Sequence, residues 1–212
     1  NLTGQVSQGS DSVAIGTQSG QSNQGIDAVA IGKMAGTINQ GASSIAIGQF
    51  AGYAAQNINS IALGILSGAD NQAANSVSIG WTAGQNYQGE DSVAIGTNAG
   101  SGTQGSSAVA VGQNAGQESQ GNNAVAVGPN TGQVSQGLGS VAVGLNSGQT
   151  NQGVSSVAVG ESSGLSTQGD FSVAIGFSAG SVDQATSSVA VGTQSGHKFC
   201  SYWYFSWWET TR

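Results

Sequence analysis

The sequence predicts an all-β fold, a parallel β-solenoid or β-roll of about twelve sixteen-residue coils, and three observations carry that prediction. First, the unit Ser12-Val13-Ala14-Ile15-Gly16 returns every sixteen residues. Its copies begin at Ser12, Ala28, Ser44, Ser60, Ser76, Ser92, Ala108, Ala124, Ser140, Ser156, Ser172 and Ser188, with no insertion or deletion between them. Second, large and small residues alternate within the unit. Third, glycine and glutamine recur at fixed places outside that alternation. A fixed short period without exceptions is the signature of a stacked repeat architecture.

Taking the first residue of each copy as position 1, positions 2 and 4 are always Val, Ile or Leu, and position 3 is Ala except at Ser78. That period of two marks a strand with one face buried, and β-branched residues suit a pleated surface. The expectation is that the large residues of positions 2 and 4 form the core. Position 5 is glycine from Gly16 to Gly192 and position 9 is glycine from Gly20 to Gly196. Invariant glycine at two fixed places points to corners with positive φ. Position 8 is always small, as in Ala35, Ser67 and Thr131, so that side of the coil is expected to lie close to something. Glycines so spaced would break every other turn of a helix. Twelve coils at about 4.8 Å make a rod roughly 55 to 60 Å long.

Position 13 is glutamine throughout, first at Gln8 and then at Gln24, Gln40, Gln56, Gln72, Gln88, Gln104, Gln120, Gln136, Gln152, Gln168 and Gln184. Stacked carboxylates or ammonium groups would repel their own copies, whereas a neutral amide can donate to one rung and accept from the next. This column is therefore read as a structural ladder. A shorter one of Asn98, Asn114, Asn130 and Asn146 occupies position 7. Two large side chains per coil make a thin core, so further burial is expected. The small Ala and Ser of positions 1 and 3 offer a flat face for packing against identical copies, and a homotrimer is the assembly expected.

Composition narrows the function. The 212 residues include 36 glycines, one proline and 6% charged residues. Collagen is excluded because glycine never falls every third residue, and Val or Ile on schedule argues against disorder. The net charge is −7 and the cations are Lys33, Lys198 and Arg212, so no phosphate-tracking surface and no nucleic-acid partner is expected. One cysteine, Cys200, allows no intrachain disulfide. No apolar run long enough to span a membrane and no signal peptide is visible. The chain opens in mid-repeat without Met, as a processed product or a piece of a longer array would.

Motifs that could carry chemistry dissolve into the repeat. Gly100-Ser101-Gly102-Thr103-Gln104-Gly105 fits GxGxxG, but a strand rather than a helix follows, so there is no phosphate cradle. Gly160-Glu161-Ser162-Ser163-Gly164 and Gly176-Phe177-Ser178-Ala179-Gly180 fit GxSxG only because the glycines are the corner glycines. Asp11, Asp27 and Asp91 share position 16, the first two on neighbouring rungs, but lack the further oxygen ligands of a calcium site, and one Cys with one His gives no zinc spacing. No catalytic residue, metal or cofactor is expected.

The variable positions say more. Met34, Phe50 and Leu66 should align at position 7 on successive rungs, with Ile65 and Trp81 beside them and Tyr53 across the next corner. Such a patch is a candidate contact surface: it could receive a ligand, pack against a neighbouring rod, or be internal core. Residues 1–196 form the array. Residues 197–212 change abruptly in composition, seven of the sixteen being aromatic. A solenoid end exposes unpaired strand edges, so Trp203, Phe205, Trp207 and Trp208 are read as a cap or trimer plug, with a junction to another subunit or a membrane-interface contact as alternatives.

Ser-Val-Ala-Ile-Gly followed two residues later by Ala or Ser resembles the head repeat of trimeric autotransporter adhesins, and the likeness covers residues 1 to 196. The resemblance implies a left-handed parallel β-roll, three rolls side by side, and a head that projects from a bacterial surface to bind host matrix or cells. Similar Gln-Gly-x-x-Ser-Val-Ala-Ile-Gly arrays occur in fibre proteins of phages and large DNA viruses. The adhesin repeat is nearer about fourteen residues, and here the extra length falls in the Gln-Gly segment. The function expected is a non-enzymatic extracellular or virion-surface fibre or adhesin head that associates with itself and presents a repetitive surface to a host ligand. The alternative is an ice-binding solenoid, which would want outward Thr columns where threonines such as Thr17, Thr82 and Thr193 are scattered.

Overall fold

The computed structural model describes residues 3, 4 and 6–196. Each sixteen-residue repeat is one coil. Positions 2 to 4 are the first strand, from Val13–Ile15 to Val189–Val191, and twelve of them pair in parallel as one sheet. The register is the repeat length: Val13 pairs with Val29, Ala14 with Ala30 and Ile15 with Ile31, and so on along the rod. Positions 11 to 13 supply the second strand. These form a three-stranded sheet of Val6–Gln8, Ser22–Gln24 and Ile38–Gln40, and an eight-stranded sheet running from Asp70–Gln72 to Val182–Gln184. No helix occurs among the described residues. The parallel solenoid of about twelve turns is therefore as expected, as are the positive-φ corners.

The two glycine corners have different causes. At Gly32, which stands for position 5, φ is +128°, and a Cβ would lie 2.6 Å from the carbonyl oxygen of Gly48 on the next rung. Close stacking of backbone on backbone thus excludes any side chain. At Gly36, which stands for position 9, φ is +52°, and a Cβ would lie 2.5 Å from Gln40 Oε1 and 3.2 Å from Ala30 Cβ. Here the side chain is excluded by the interior of the coil itself.

That interior corrects the sequence-based assignment of faces. Position 3 is the core: every alanine from Ala30 to Ala190 is buried, and so is Ser78. Facing it are the small residues of position 8, fully buried from Ser19 to Ala179, and the glutamines of position 13. The residues of positions 2 and 4 point outward, with Val13 40%, Ile15 58%, Leu63 41% and Ile175 41% exposed. The small-residue face is inside and the aliphatic face outside, the reverse of the expectation. Width is the reason. A coil whose two walls must admit a glutamine between them has room for methyl groups and not for Val or Ile.

Position 1 is also internal, and its serine has a bonding role. Ser44 Oγ donates to Gly41 O at 2.6 Å and Ser92 Oγ to Gly89 O at 2.6 Å, closing the turn before each first strand. Position 8 serines work likewise between rungs: Ser19 Oγ donates to Ala30 O at 2.7 Å and Ser147 Oγ to Ala158 O at 2.7 Å. Such bonds let hydroxyls stand among the buried alanines without an unsatisfied donor.

Candidate interaction surfaces

The glutamines are buried from Gln24 to Gln184, and each spans its coil from wall to wall. Gln40 Nε2 donates to Val29 O at 2.8 Å and to Ser44 O at 3.4 Å. The same bridge to the position 2 carbonyl recurs at 2.8 or 2.9 Å in every coil from Gln24 to Gln184. Amide-to-amide contact in this column is limited to Gln104 with Gln120 and Gln136 with Gln152, both at 3.1 Å. The donor side is thus committed to the backbone, so the column acts as a set of struts within rungs more than a ladder between them.

The acceptor side has less. Oε1 of Gln24, Gln40, Gln56, Gln72, Gln104, Gln136, Gln168 and Gln184 has no hydrogen-bond partner. Each lies where the Cα–H of the position 9 glycine points, a weak C–H···O contact that partly compensates. Glycine at position 9 and glutamine at position 13 are therefore one device. Ser78, the single departure at position 3, supplies what the others lack: its Oγ donates to Gln88 Oε1 at 2.6 Å.

Ladders between rungs occur on the outer corners. Asn98 donates to Asn114 at 3.0 Å, Asn114 to Asn130 at 2.9 Å and Asn130 to Asn146 at 3.1 Å. All four have φ between 53° and 57°. Asparagine suits the column twice over, since it tolerates the left-handed region and stacks its amide. Gln133 donates to Gln117 at 2.9 Å and Gln149 to Gln133 at 3.2 Å in a second outer column, and Asn59 to Asn75 and Asn75 to Asp91 in a third, at 3.2 and 3.1 Å. The sequence offered a signal for these in the runs of Asn and Gln at positions 7, 10 and 16.

Two segments, 88–115 and 152–179, match the YadA head domain repeat. The resemblance to adhesin head repeats holds. Each matched segment spans nearly two coils, two first strands with the corner after each and the second strand between them, so the match falls on the parts of the coil that the buried alanines and glutamines define. No curated protein matches the chain. The match covers about a quarter of the chain and points to an adhesin-type structural role at that level. Thr17, Thr82 and Thr193 fall on coils one, five and twelve and make no column, so nothing supports the ice-binding alternative.

The outward sheet face is an apolar feature that runs the length of the described array. It carries two columns of Val, Ile or Leu, in register over twelve strands. The predicted contact patch lies around the corner from it. Met34, Phe50, Tyr53 and Leu66 are half-buried on the outside of the coil, while Ile65 and Trp81 are 49% and 58% exposed. Phe50 and Tyr53 meet edge to face, their centroids 5.7 Å apart. Phe50 and Tyr53 are thus brought together, and the exposure of Ile65 and Trp81 is not that of internal core. The predicted cap residues Trp203, Phe205, Trp207 and Trp208 lie outside the described residues. Among the described residues no cluster of His, Cys, Asp or Glu could hold a metal, and a shallow groove beside Thr103, Ser119 and Ser135 contains no titratable group.

Proposed function

We propose that the chain is a non-catalytic rod that self-associates through its outward aliphatic sheet into a homotrimer and serves as an adhesin-type head or fibre segment at a surface outside the cell. One observation carries this reading: the exposed face of the twelve-stranded sheet. Two aliphatic columns running about 53 Å along the rod present on the order of 500 Å² of apolar surface, within the ~300–600 Å² of the largest patch on a single soluble chain, a size that often marks a contact surface. A flat face repeated at constant spacing is self-complementary along its whole length, and a rotation that brings such faces together about an axis closes the assembly. The choice of three copies follows the adhesin heads that the chain resembles. Enclosing that face leaves the Asn and Gln ladders outward, as a stiff polar surface for attachment to host matrix or cells.

The test is the mass of the full chain in solution, by light scattering coupled to gel filtration. The expected value is three times the 20.8 kDa of one chain. Replacing Val93, Val109 and Val125 by Ser should lower the mass while leaving the β-type circular dichroism unchanged. A wild-type chain that stays a single folded rod at micromolar concentration overturns the proposal. Binding of the assembled protein to immobilised matrix proteins and glycans tests the attachment role separately.

A further inference from the structure

Coils two to five break the regularity of the array in three ways at one level. Met34, Phe50 and Leu66 have φ of 59°, 58° and 57°, in the column where four other coils place Asn. The left-handed region penalises large side chains without a short polar group, so these three are held at a conformational cost. The second-strand sheet is interrupted at the same height, its two parts joined only by the bridges of Ala54 to Ile38 and Asp70. Asn57 and Ala73 stand there in place of the glycine of position 14, where a Cβ at Gly41 would already come within 2.5 Å of the Asn57 backbone. Finally, Ile65 and Trp81 project into solvent on coils four and five, next after the coil of the Phe50–Tyr53 pair.

We propose that this patch is an axial register lock between copies of the chain, packing against the same level of a second copy. The inference rests on the self-association proposed above. The aliphatic columns hold copies together but distinguish one axial offset from another only through the rungs left unpaired at the ends, because a slide of sixteen residues sets Val, Ile or Leu on Val, Ile or Leu at all the others. A feature concentrated at coils two to five does distinguish them, since further along the same corner carries only the isolated large apolar residues Leu145 and Phe177. Leu63 on the sheet face and Ile65 at the corner two residues later are both exposed, as is Trp81 two residues after Ile79. Three rungs further on, the same corner reads Gln113-Asn114 and Pro129-Asn130. A copy displaced by several rungs would set Trp81 and Phe50 against the amide ladder and leave both surfaces poorly satisfied.

The test uses the full chain with Cys200→Ser and Ser106→Cys, spin-labelled at the introduced thiol on an exposed corner. Distances between labels are measured by pulsed electron resonance in this protein and in a variant that also carries Phe50→Asn, Ile65→Gln and Trp81→Gln. These replacements are residue types that other coils carry at polar corners, and circular dichroism verifies the fold. The expected result is one narrow distance in the parent. The variant should keep its mass but spread its distances, with copies offset in steps of about 4.8 Å. A variant distribution as narrow as the parent's overturns the lock, as does a parent already spread over offsets. Dissociation of the variant into monomers overturns it in favour of a simple anchor. A parent with no assembly at all removes the self-association reading together with the lock.

Discussion

Replacing one interior amide by a carboxyl, Gln104→Glu, probes the strut inside the coil with a signature that depends on pH. Gln104 is 2% exposed, and its Nε2 donates to Val93 O at 2.8 Å, to Ala108 O at 3.4 Å and to Gln120 Oε1 at 3.1 Å. A carboxylate in that place would turn an oxygen toward three acceptors in a dry interior, so the native state would hold the acid protonated. With an ordinary value of about 4.3, keeping a glutamic acid neutral at pH 7 costs about 3.7 kcal/mol. The protonated acid donates to one carbonyl and leaves the others without a donor, which costs a further ~1–2 kcal/mol at any pH. The loss is therefore about 5 kcal/mol at pH 7 and about 1–2 kcal/mol at pH 4. The sign follows from linkage: the folded-state value is raised, so the variant approaches the parent below the ordinary carboxylate range and falls behind as pH rises through and above it. Thermal melts of parent and variant at both pH values, at equal chain concentration so that assembly is held constant, measure the difference. A melting deficit that is the same at pH 4 and pH 7 would refute the buried, donor-committed amide.

Other substitutions separate the structural elements. Gly32→Ala should lower stability by roughly 3 kcal/mol, through strain at φ +128° and contact with Gly48 O. Gly139→Asn should instead be neutral or stabilise by about 0.5–1 kcal/mol, because φ there is +63°, only Ser155 Oγ at 3.7 Å stands near, and the unfolded chain loses freedom; chemical denaturation compares the two. Ala94→Val overfills a fully buried site and should cost about 1–3 kcal/mol in melts of dilute protein, whereas Val93→Ser should leave the coil intact and weaken only the mass measured in solution. If these last two effects were exchanged, the assignment of inside and outside would be wrong.

The stacking, the period, the strand and both glycine corners were legible because each depends on a local constraint written into every copy. Which face turned inward was not, because a period of two is symmetrical: Val13-Ala14-Ile15 reads as buried Val and Ile or as buried Ala with equal fit. The usual preference for large residues inside then decided wrongly. A better signal was present in how strictly each position is kept. Positions 2 and 4 exchange Val, Ile and Leu freely, as a face that meets a pliable partner can, while position 3 departs from Ala once and position 8 never exceeds Thr. Invariant smallness marks a space with no slack. The patch was legible as a column, since Met34, Phe50 and Leu66 fall sixteen apart, but its backbone cost and the sheet break at Ala54 arise from φ angles and inter-rung spacing that residue identity alone does not state.

The inverted interior also changes why the chain would need sister copies. With the aliphatic residues inside, a coil would own its core, and association would add to a finished unit. With alanine, serine and glutamine inside, each coil is held mainly by close packing and by hydrogen bonds such as Gln40 to Val29 and Ser19 to Ala30. Its hydrophobic burial is then deferred to the outer face. Folding and assembly become linked: whatever encloses positions 2 and 4 binds the folded coil and not the unfolded chain, so stability rises with chain concentration. A melting temperature that climbs with concentration is the outcome this arrangement requires, and one that stays constant over a hundredfold range would mean that the Ala and Gln interior sustains the rod unaided.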